Sequence, residues 1–209
     1  MQPAPGSGDG NAVGVRELAT NLPIRIRGYH SAMRYRRSLA AGGTCFFTVN
    51  LLDRRGTLLV DDVDTLRKAV RHVRERHPFS IDAWVVLPDH LHAIWTLPED
   101  DADFSGRWAL IKSRFSRSIP KGEVISASRE HKGERGIWQR RFWEHRIRDE
   151  RDLRAHVDYV HINPVKHGYV CRASDWPHST IHRYIRDGIV PDDWAADPDH
   201  VTIDHRFDR

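Results

Sequence analysis

Ile81-Asp82-Ala83-Trp84-Val85-Val86-Leu87-Pro88-Asp89-His90-Leu91-His92-Ala93-Ile94-Trp95 decides how this chain folds. An apolar, β-branched run leads into Pro88-Asp89, a turn signal, and a second apolar run follows. That is the pattern of two strands joined by a tight hairpin. Side chains in a strand alternate between faces, so His90 and His92 are expected on one face and Leu91 on the other. Two imidazoles side by side on a rigid scaffold suit a divalent metal. A solvated edge strand can carry the same His-x-His, and the pair alone does not separate the two readings.

Working outward, Thr44 to Leu52 is rich in aromatic and β-branched residues after Gly42-Gly43 and reads as a first strand. Asp61 to His77 carries Val63, Leu66, Val70 and Val73 at helical spacing, with Pro78 beyond. Phe104 to Ile119 is a second helix with a Trp108, Ile111, Phe115, Ile119 stripe, closed by Pro120. The polar, basic stretch 121–136 reads as a mobile loop of functional length, and Ile137 to Ile147 as a fourth strand. A third helix runs from Asp149 to about Asn163 with Leu153, Val157 and Val160 on one side, and Pro164 is expected to end it. The order β-α-β-β-α-β predicts an α+β fold: a ferredoxin-like antiparallel sheet with helices on one face, plus an extra helix carrying Tyr159. Residues 1–32 are expected to be a disordered extension, 33–186 the folded domain, with a packing tail from Trp176 to Tyr184, and 187–209 an acidic tail.

The composition suits one good core: 209 residues, 39% hydrophobic, net charge +4. The charge is uneven. Residues 107–154 hold 14 Lys+Arg against 7 Asp+Glu, whereas 187–209 hold 7 Asp against 2 Arg, as in a polyanion-binding body with a non-binding end. No apolar stretch approaches the roughly 18 residues of a membrane span, and a signal-peptide pattern is missing from the N-terminal stretch. Cys45 and Cys171 form no recognisable pattern, so a reduced, cytoplasmic setting is expected.

Tyr159 and Asn163 stand four apart on the last helix, so phenol and carboxamide face the same way. Arg140 and Arg141 offer guanidinium forks to phosphate, and Arg114 and Arg117 add to that surface. Trp138 and Trp143 can stack on unpaired bases or fill the core. His161, about 200° around the helix from Tyr159, is expected to be structural, and His167 is set aside with it.

Four blocks together resemble a known family: Phe46-Phe47-Thr48-Val49; Trp84 through His92; Trp138-Gln139-Arg140-Arg141-Phe142-Trp143-Glu144-His145; and Tyr159-Val160-His161-Ile162-Asn163-Pro164-Val165-Lys166-His167-Gly168. They are similar, in this order, to the one-tyrosine HUH single-strand DNA nucleases, and most closely to the transposase-like proteins associated with bacterial repetitive extragenic palindromes (REPs). The resemblance implies a metal-dependent endonuclease and strand transferase acting on palindromic single-stranded DNA hairpins. His90 and His92 would hold Mg²⁺ or Mn²⁺, and Tyr159 would attack phosphorus to leave a 5′-phosphotyrosine. Related enzymes often carry Gln where this chain has Asn163, which is either a third metal ligand or a helix-end residue. The covalent link conserves the phosphodiester energy, so no nucleotide cofactor is expected. Two other functions fit the same residues: a non-catalytic binder of folded single strands, and a water-using metal nuclease in which Tyr159 only orients substrate.

Overall fold

The alternating strands and amphipathic helices close into a single four-stranded sheet in a computed structural model that describes residues 42–194. The expected extension 1–32 lies outside those residues. In chain order the elements are β1 (Thr44–Asn50), a single turn α1 (Leu58–Asp61), α2 (Val63–Arg76), β2 (Ser80–Val86), β3 (His90–Thr96) and α3 (Phe104–Ser118). A short α4 (Ala127–Glu130), β4 (Trp143–Arg146), α5 (Glu150–Lys166), a 3-10 turn (Ala173–Asp175) and α6 (Ile181–Arg186) follow. The strands pair antiparallel in the order β2-β3-β1-β4, the ferredoxin-like arrangement expected from the sequence. The hairpin turn closes where Leu87 N–H donates to the His90 carbonyl at 2.8 Å.

Each sheet face has its own core. Phe47, Val49, Leu91, Ala93 and Trp95 pack against Leu66, Val70 and Val73 of α2 and Trp108, Ile111 and Phe115 of α3. Phe46, Val85 and Ile94 pack against Leu153, Val157 and Val160 of α5 on the other face. The two ferredoxin helices therefore share one face and the extra helix covers the other, so β3 is buried from His90 to Trp95. Burying a large apolar side chain contributes about 1.5–3 kcal/mol, which makes these two layers the main source of stability.

Four expectations change. The fourth strand is shorter than 137–147: Trp138 makes an isolated bridge to Leu51, and the ladder resumes only at Trp143. Between them, Arg140 and Arg141 are both exposed. Adjacent arginines in a strand would send one charge into each covered face, which is costly, so the pairing breaks there. The stretch 121–136 contains α4 and is tied down by Arg135, which donates to the Ile119 and Pro120 carbonyls at 2.8 and 2.7 Å. Beyond residue 186, Ile189, Val190 and Trp194 are buried in the α5-side core, so the folded body reaches further than the expected boundary.

The fourth change concerns α5, which continues through Pro164 to Lys166. Proline deletes one hydrogen bond, but so near the C-terminus the loss is small. The stop is set by Gly168 at φ 71°. Its N–H donates to the Val165 carbonyl at 2.9 Å and Tyr169 N–H to the Pro164 carbonyl at 2.9 Å, a Schellman motif. At the other end, the Asp149 side chain accepts from Asp152 N–H, and Asp152 accepts from Arg148 N–H, both at 2.9 Å, in the manner of a capping box.

His161 is structural, as expected: it is fully buried, and its Nε2 shares a 3.0 Å hydrogen bond with the Thr180 hydroxyl. Burial first, then the charges of Arg183 and His182, lower its pKa to about 3. An unfolded His titrates near 6.5, so as pH falls the unfolded chain takes up this proton before the native one does. The associated stability is complete above about pH 6.5 and is lost toward pH 3, at no more than about 1.4 kcal/mol per pH unit. His161→Gln is expected to flatten that acid slope in urea-unfolding midpoints measured between pH 7 and pH 4. An unchanged slope would show that His161 does not contribute.

Candidate metal and tyrosine centre

Strand alternation sends His90 and His92 to the α5 side of the sheet, where their ring centroids lie 5.0 Å apart at 85°. Each ring is held through Nδ1. His92 Nδ1 shares a 2.9 Å hydrogen bond with the hydroxyl of Thr48, its partner across β1. His90 Nδ1–H donates to Asp89 at 2.7 Å, and Arg54 Nε donates to the same carboxylate at 2.6 Å. Burial works to raise the Asp89 carboxyl, but the hydrogen bonds to His90 and Arg54 outweigh it and hold the group well below the usual carboxylate range. Fixing Nδ1 leaves Nε2 as the nitrogen that can coordinate a metal, and the Asp89–His90 pair is the carboxylate–histidine arrangement that orients such ligands.

Tyr159 and Asn163 reach the same place from α5. The Tyr159 ring lies 5.2 Å from His92 and 5.8 Å from Phe46, and the Lys166 ammonium sits 5.0 Å over it. Asn163 is inside the helix and fully buried, so it is not a helix-terminating residue as one reading of Pro164 allowed. Its carboxamide lies against His92. Burial first, then the charges of His90, His167 and Lys166, push His92 well below its usual pKa, and Asn163 offsets only part of this. His92 is therefore a neutral imidazole, the form that ligates metals.

Neither polar atom of the Asn163 carboxamide, nor His92 Nε2, completes a hydrogen bond, although all three are buried. Groups of this kind normally have partners. An imidazole nitrogen and a carboxamide oxygen both offer lone pairs, and a divalent cation would satisfy both where a hydrogen bond cannot. The donors present thus fit a divalent ion. Asn50, directly across from His90, adds another buried side-chain oxygen without a hydrogen bond.

Several neighbours were not anticipated from sequence. His167, set aside with His161, stacks edge-on 5.2 Å from His90. Thr48, Asn50, Arg54 and Asp89 join because of strand register and the hairpin turn. Only Asp89, adjacent to His90, carried a readable signal. The nucleic-acid candidates divide. Arg117 and Arg140 line one cavity of about 540 Å³ between α3 and residues 129–140. Arg140 is exposed yet paired with Glu134 at 2.9 Å, Arg141 is exposed, and Arg114 is half-buried. Trp138 is 6% exposed and packs against Phe115, which takes it off any solvent-facing stacking surface. Trp143 is half-buried on the α5 side, 5.6 Å from Phe46.

Among the described residues, His145, Asp152 and His156 also cluster closely enough to hold a metal. Asp152 there already accepts from His145 at 2.9 Å and from Arg148 N–H at 2.9 Å, and pairs with His156 at 3.1 Å. Asp152 thereby ties both histidines to the start of α5.

No protein-family model matches the chain. An Escherichia coli REP-associated tyrosine transposase is 52% identical over 173 residues, covering 83% of this chain and 97% of that protein. A Haemophilus influenzae relative assigned to the same group is 45% identical over 166 residues, covering 79% of this chain and 94% of its own. Among solved structures, a REP-associated tyrosine transposase bound to a REP hairpin matches with a TM-score of 0.65 and 52% identity, covering 79% of this chain and 92% of that one.

Proposed function

The chain belongs to the REP-associated tyrosine transposases, and on that premise we propose that it cuts and rejoins single-stranded DNA at REP-type hairpins through Tyr159. The observation that carries this reading is the convergence of His90 and His92 from β3 with Tyr159 and Asn163 from α5 around buried, unsatisfied lone pairs. His90, His92 and Asn163 would hold the divalent ion, Mg²⁺ or Mn²⁺, whose contribution when bound is to polarise the scissile phosphate.

Tyr159 does the covalent chemistry. Its oxygen forms a bond to phosphorus, the phosphorus–O3′ bond breaks, and the phenol proton is lost as the 3′ oxygen gains one. The products are a 5′-phosphotyrosine and a free 3′-hydroxyl, and attack by another 3′-hydroxyl reverses the step. The Lys166 ammonium brings positive charge beside the phenol. Arg114, Arg117, Arg140 and Arg141 supply phosphate contacts that fix the strand without reading its bases, and Trp143 offers an aromatic face near the centre. The working domain takes in residues 42–194, past the expected boundary at 186, because Ile189, Val190 and Trp194 are buried.

The test is a denaturing gel of the protein with end-labelled REP-type hairpins, in Mn²⁺ and in EDTA. Label shifting to protein mass only with metal is expected. Cleaved DNA without that adduct would favour a water nucleophile, and binding without cleavage a non-catalytic binder.

Asp89 supplies a sharper test of the metal site. Asp89→Asn keeps the shape but removes the charge that orients His90, and losses on disturbing such partners run about 10- to 100-fold in metal affinity. Mn²⁺ titration followed by electron paramagnetic resonance should show a weakening of that order with the fold intact. Unchanged affinity would mean that His90 is not a ligand.

A further inference from the structure

Where the edge strand β4 runs into α5, His145, Asp152 and His156 gather in a cluster that shares no residue with the tyrosine centre. His145 comes from β4, and Asp152 and His156 from the first two turns of α5. In sequence the order is His-x6-Asp-x3-His. Residues four apart lie on one helix face, and that spacing lets two ligands on a helix grip one zinc ion. The Asp149 cap fixes this end of the helix by accepting from Asp152 N–H at 2.9 Å.

One candidate ligand atom from each of the three residues lies within 4.8 Å of the other two. His145 Nε2 donates to one Asp152 oxygen at 2.9 Å, and His156 Nδ1 lies 3.1 Å from the other. Zinc bonds of about 2.0–2.2 Å in a tetrahedron set neighbouring ligand atoms roughly 3.3 Å apart. Both histidine–carboxylate edges therefore already have nearly the length an ion requires. Three protein ligands leave a fourth position to water. Imidazole suits Zn²⁺ and its neighbours in the transition series, whereas Mg²⁺ prefers oxygen.

The surroundings hold these ligands still. The His145 and His156 rings stack at 4.5 Å and 11°, with Trp143 parallel to His145 at 6.0 Å and Phe46 against His156 at 5.0 Å. Burial works to raise the Asp152 carboxyl, but the hydrogen bonds from His145 and Arg148 N–H outweigh it, so the group is lowered and ionised. His156 is wholly buried, while the His145 and Asp152 side chains are 20% and 15% exposed, which gives an ion its way in. The Arg148 guanidinium, 3.5 Å from the same carboxylate, opposes a cation, but it is 76% exposed and can turn into water. His156 Nδ1 also donates to the Asp152 carbonyl at 2.8 Å. Coordination through these nitrogens needs the other tautomer of each ring, with the hydrogen on His145 Nδ1 and His156 Nε2.

We propose that His145, Asp152 and His156 form a second metal site, which takes one Zn²⁺ or a similar transition ion and fastens β4 to the helix that carries Tyr159. The ion holds the two elements together and takes no part in the chemistry. This inference does not rest on the hairpin-cutting reading.

The test is calorimetric titration of Zn²⁺ into the full chain carrying His90→Ala and His92→Ala, which silences the first centre, with urea unfolding alongside. Added to that background in turn are His145→Gln, Asp152→Asn, and His131→Gln, an exposed histidine at the end of α4. Glutamine can still donate to Asp152, so His145→Gln keeps the hydrogen-bonded arrangement and removes only a metal ligand. Asp152→Asn keeps an oxygen for Arg148 N–H and reaches the same loss by a second route. The background should bind one Zn²⁺ and unfold at higher urea when it does, with Mg²⁺ at the same concentration doing neither. His145→Gln and Asp152→Asn should each lose at least about 100-fold in Zn²⁺ affinity, the upper end of the cost of disturbing a ligand's partner. Their urea midpoints should no longer respond to zinc. His131→Gln should stay within about twofold of the background. Equal zinc affinity in the background and in either cluster variant would overturn the site, as would an equal loss in His131→Gln. A background that binds no zinc would overturn it too, and leave the three side chains a hydrogen-bond network only.

Discussion

Tyr159→Phe is expected to bind hairpin DNA as the wild type does and to form no covalent adduct at all. Removing a catalytic nucleophile can cost a factor of about a million, so strand cleavage should fall by at least about a thousandfold. The substitution suits the question because the Tyr159 ring is 3% exposed and packs on His92 and Phe46. Phenylalanine keeps those contacts and removes only the oxygen, a change of about 1 kcal/mol in stability. Far-UV circular dichroism and the unfolding midpoint should therefore match the wild type while the adduct band disappears. Cleavage persisting at the wild-type rate would reassign Tyr159 to orienting the substrate and leave water as the nucleophile.

Phe46→Ala should be the most damaging core substitution near the centre, at about 3–5 kcal/mol, the usual cost of truncating a buried phenylalanine. Its ring is fully buried on β1. It touches the rings of His92 at 5.5 Å, Trp143 at 5.6 Å, His156 at 5.0 Å and Tyr159 at 5.8 Å. One side chain thus joins β3, the edge strand β4 and α5. Phe46→Leu, closer in volume, should cost below about 1.5 kcal/mol. That variant should stay folded yet form adduct more slowly, because the flat surface that sets His92 against Tyr159 is gone. Urea denaturation measures the first effect and single-turnover adduct formation the second. A loss below about 2 kcal/mol for Phe46→Ala would mean that α5 is held to the sheet mainly by its other contacts.

Much of this was legible in the residues before any coordinates. Period-two alternation in β3 put His90 and His92 on one face, because a strand leaves no other choice. Helical spacing placed Tyr159 and Asn163 on neighbouring turns for an equally local reason. The order of strands and helices was enough for the β2-β3-β1-β4 sheet, since ferredoxin-like connections are few. Local rules also misled. Pro164 read as a stop, but the stop lies at Gly168, where a positive φ allows the closing hydrogen bonds. For Trp138 the residues left base stacking and core filling both open, and it fills space beside Phe115. Aromatic side chains suit a core and a DNA face equally well, and sequence does not say which way they turn.

What the sequence determined alone was periodicity, and with it which side chains share a face of one element. Which faces meet was decided by tertiary packing. Asp89 reaches His90 because a tight turn folds it back, and Arg54 reaches Asp89 from 35 residues away along the chain. Thr48 and Asn50 join through the register of β1 on β3, and His167 through the extra turn of α5 past Pro164. These contacts depend on distances between elements, which the burial of two separate cores sets and no local pattern encodes.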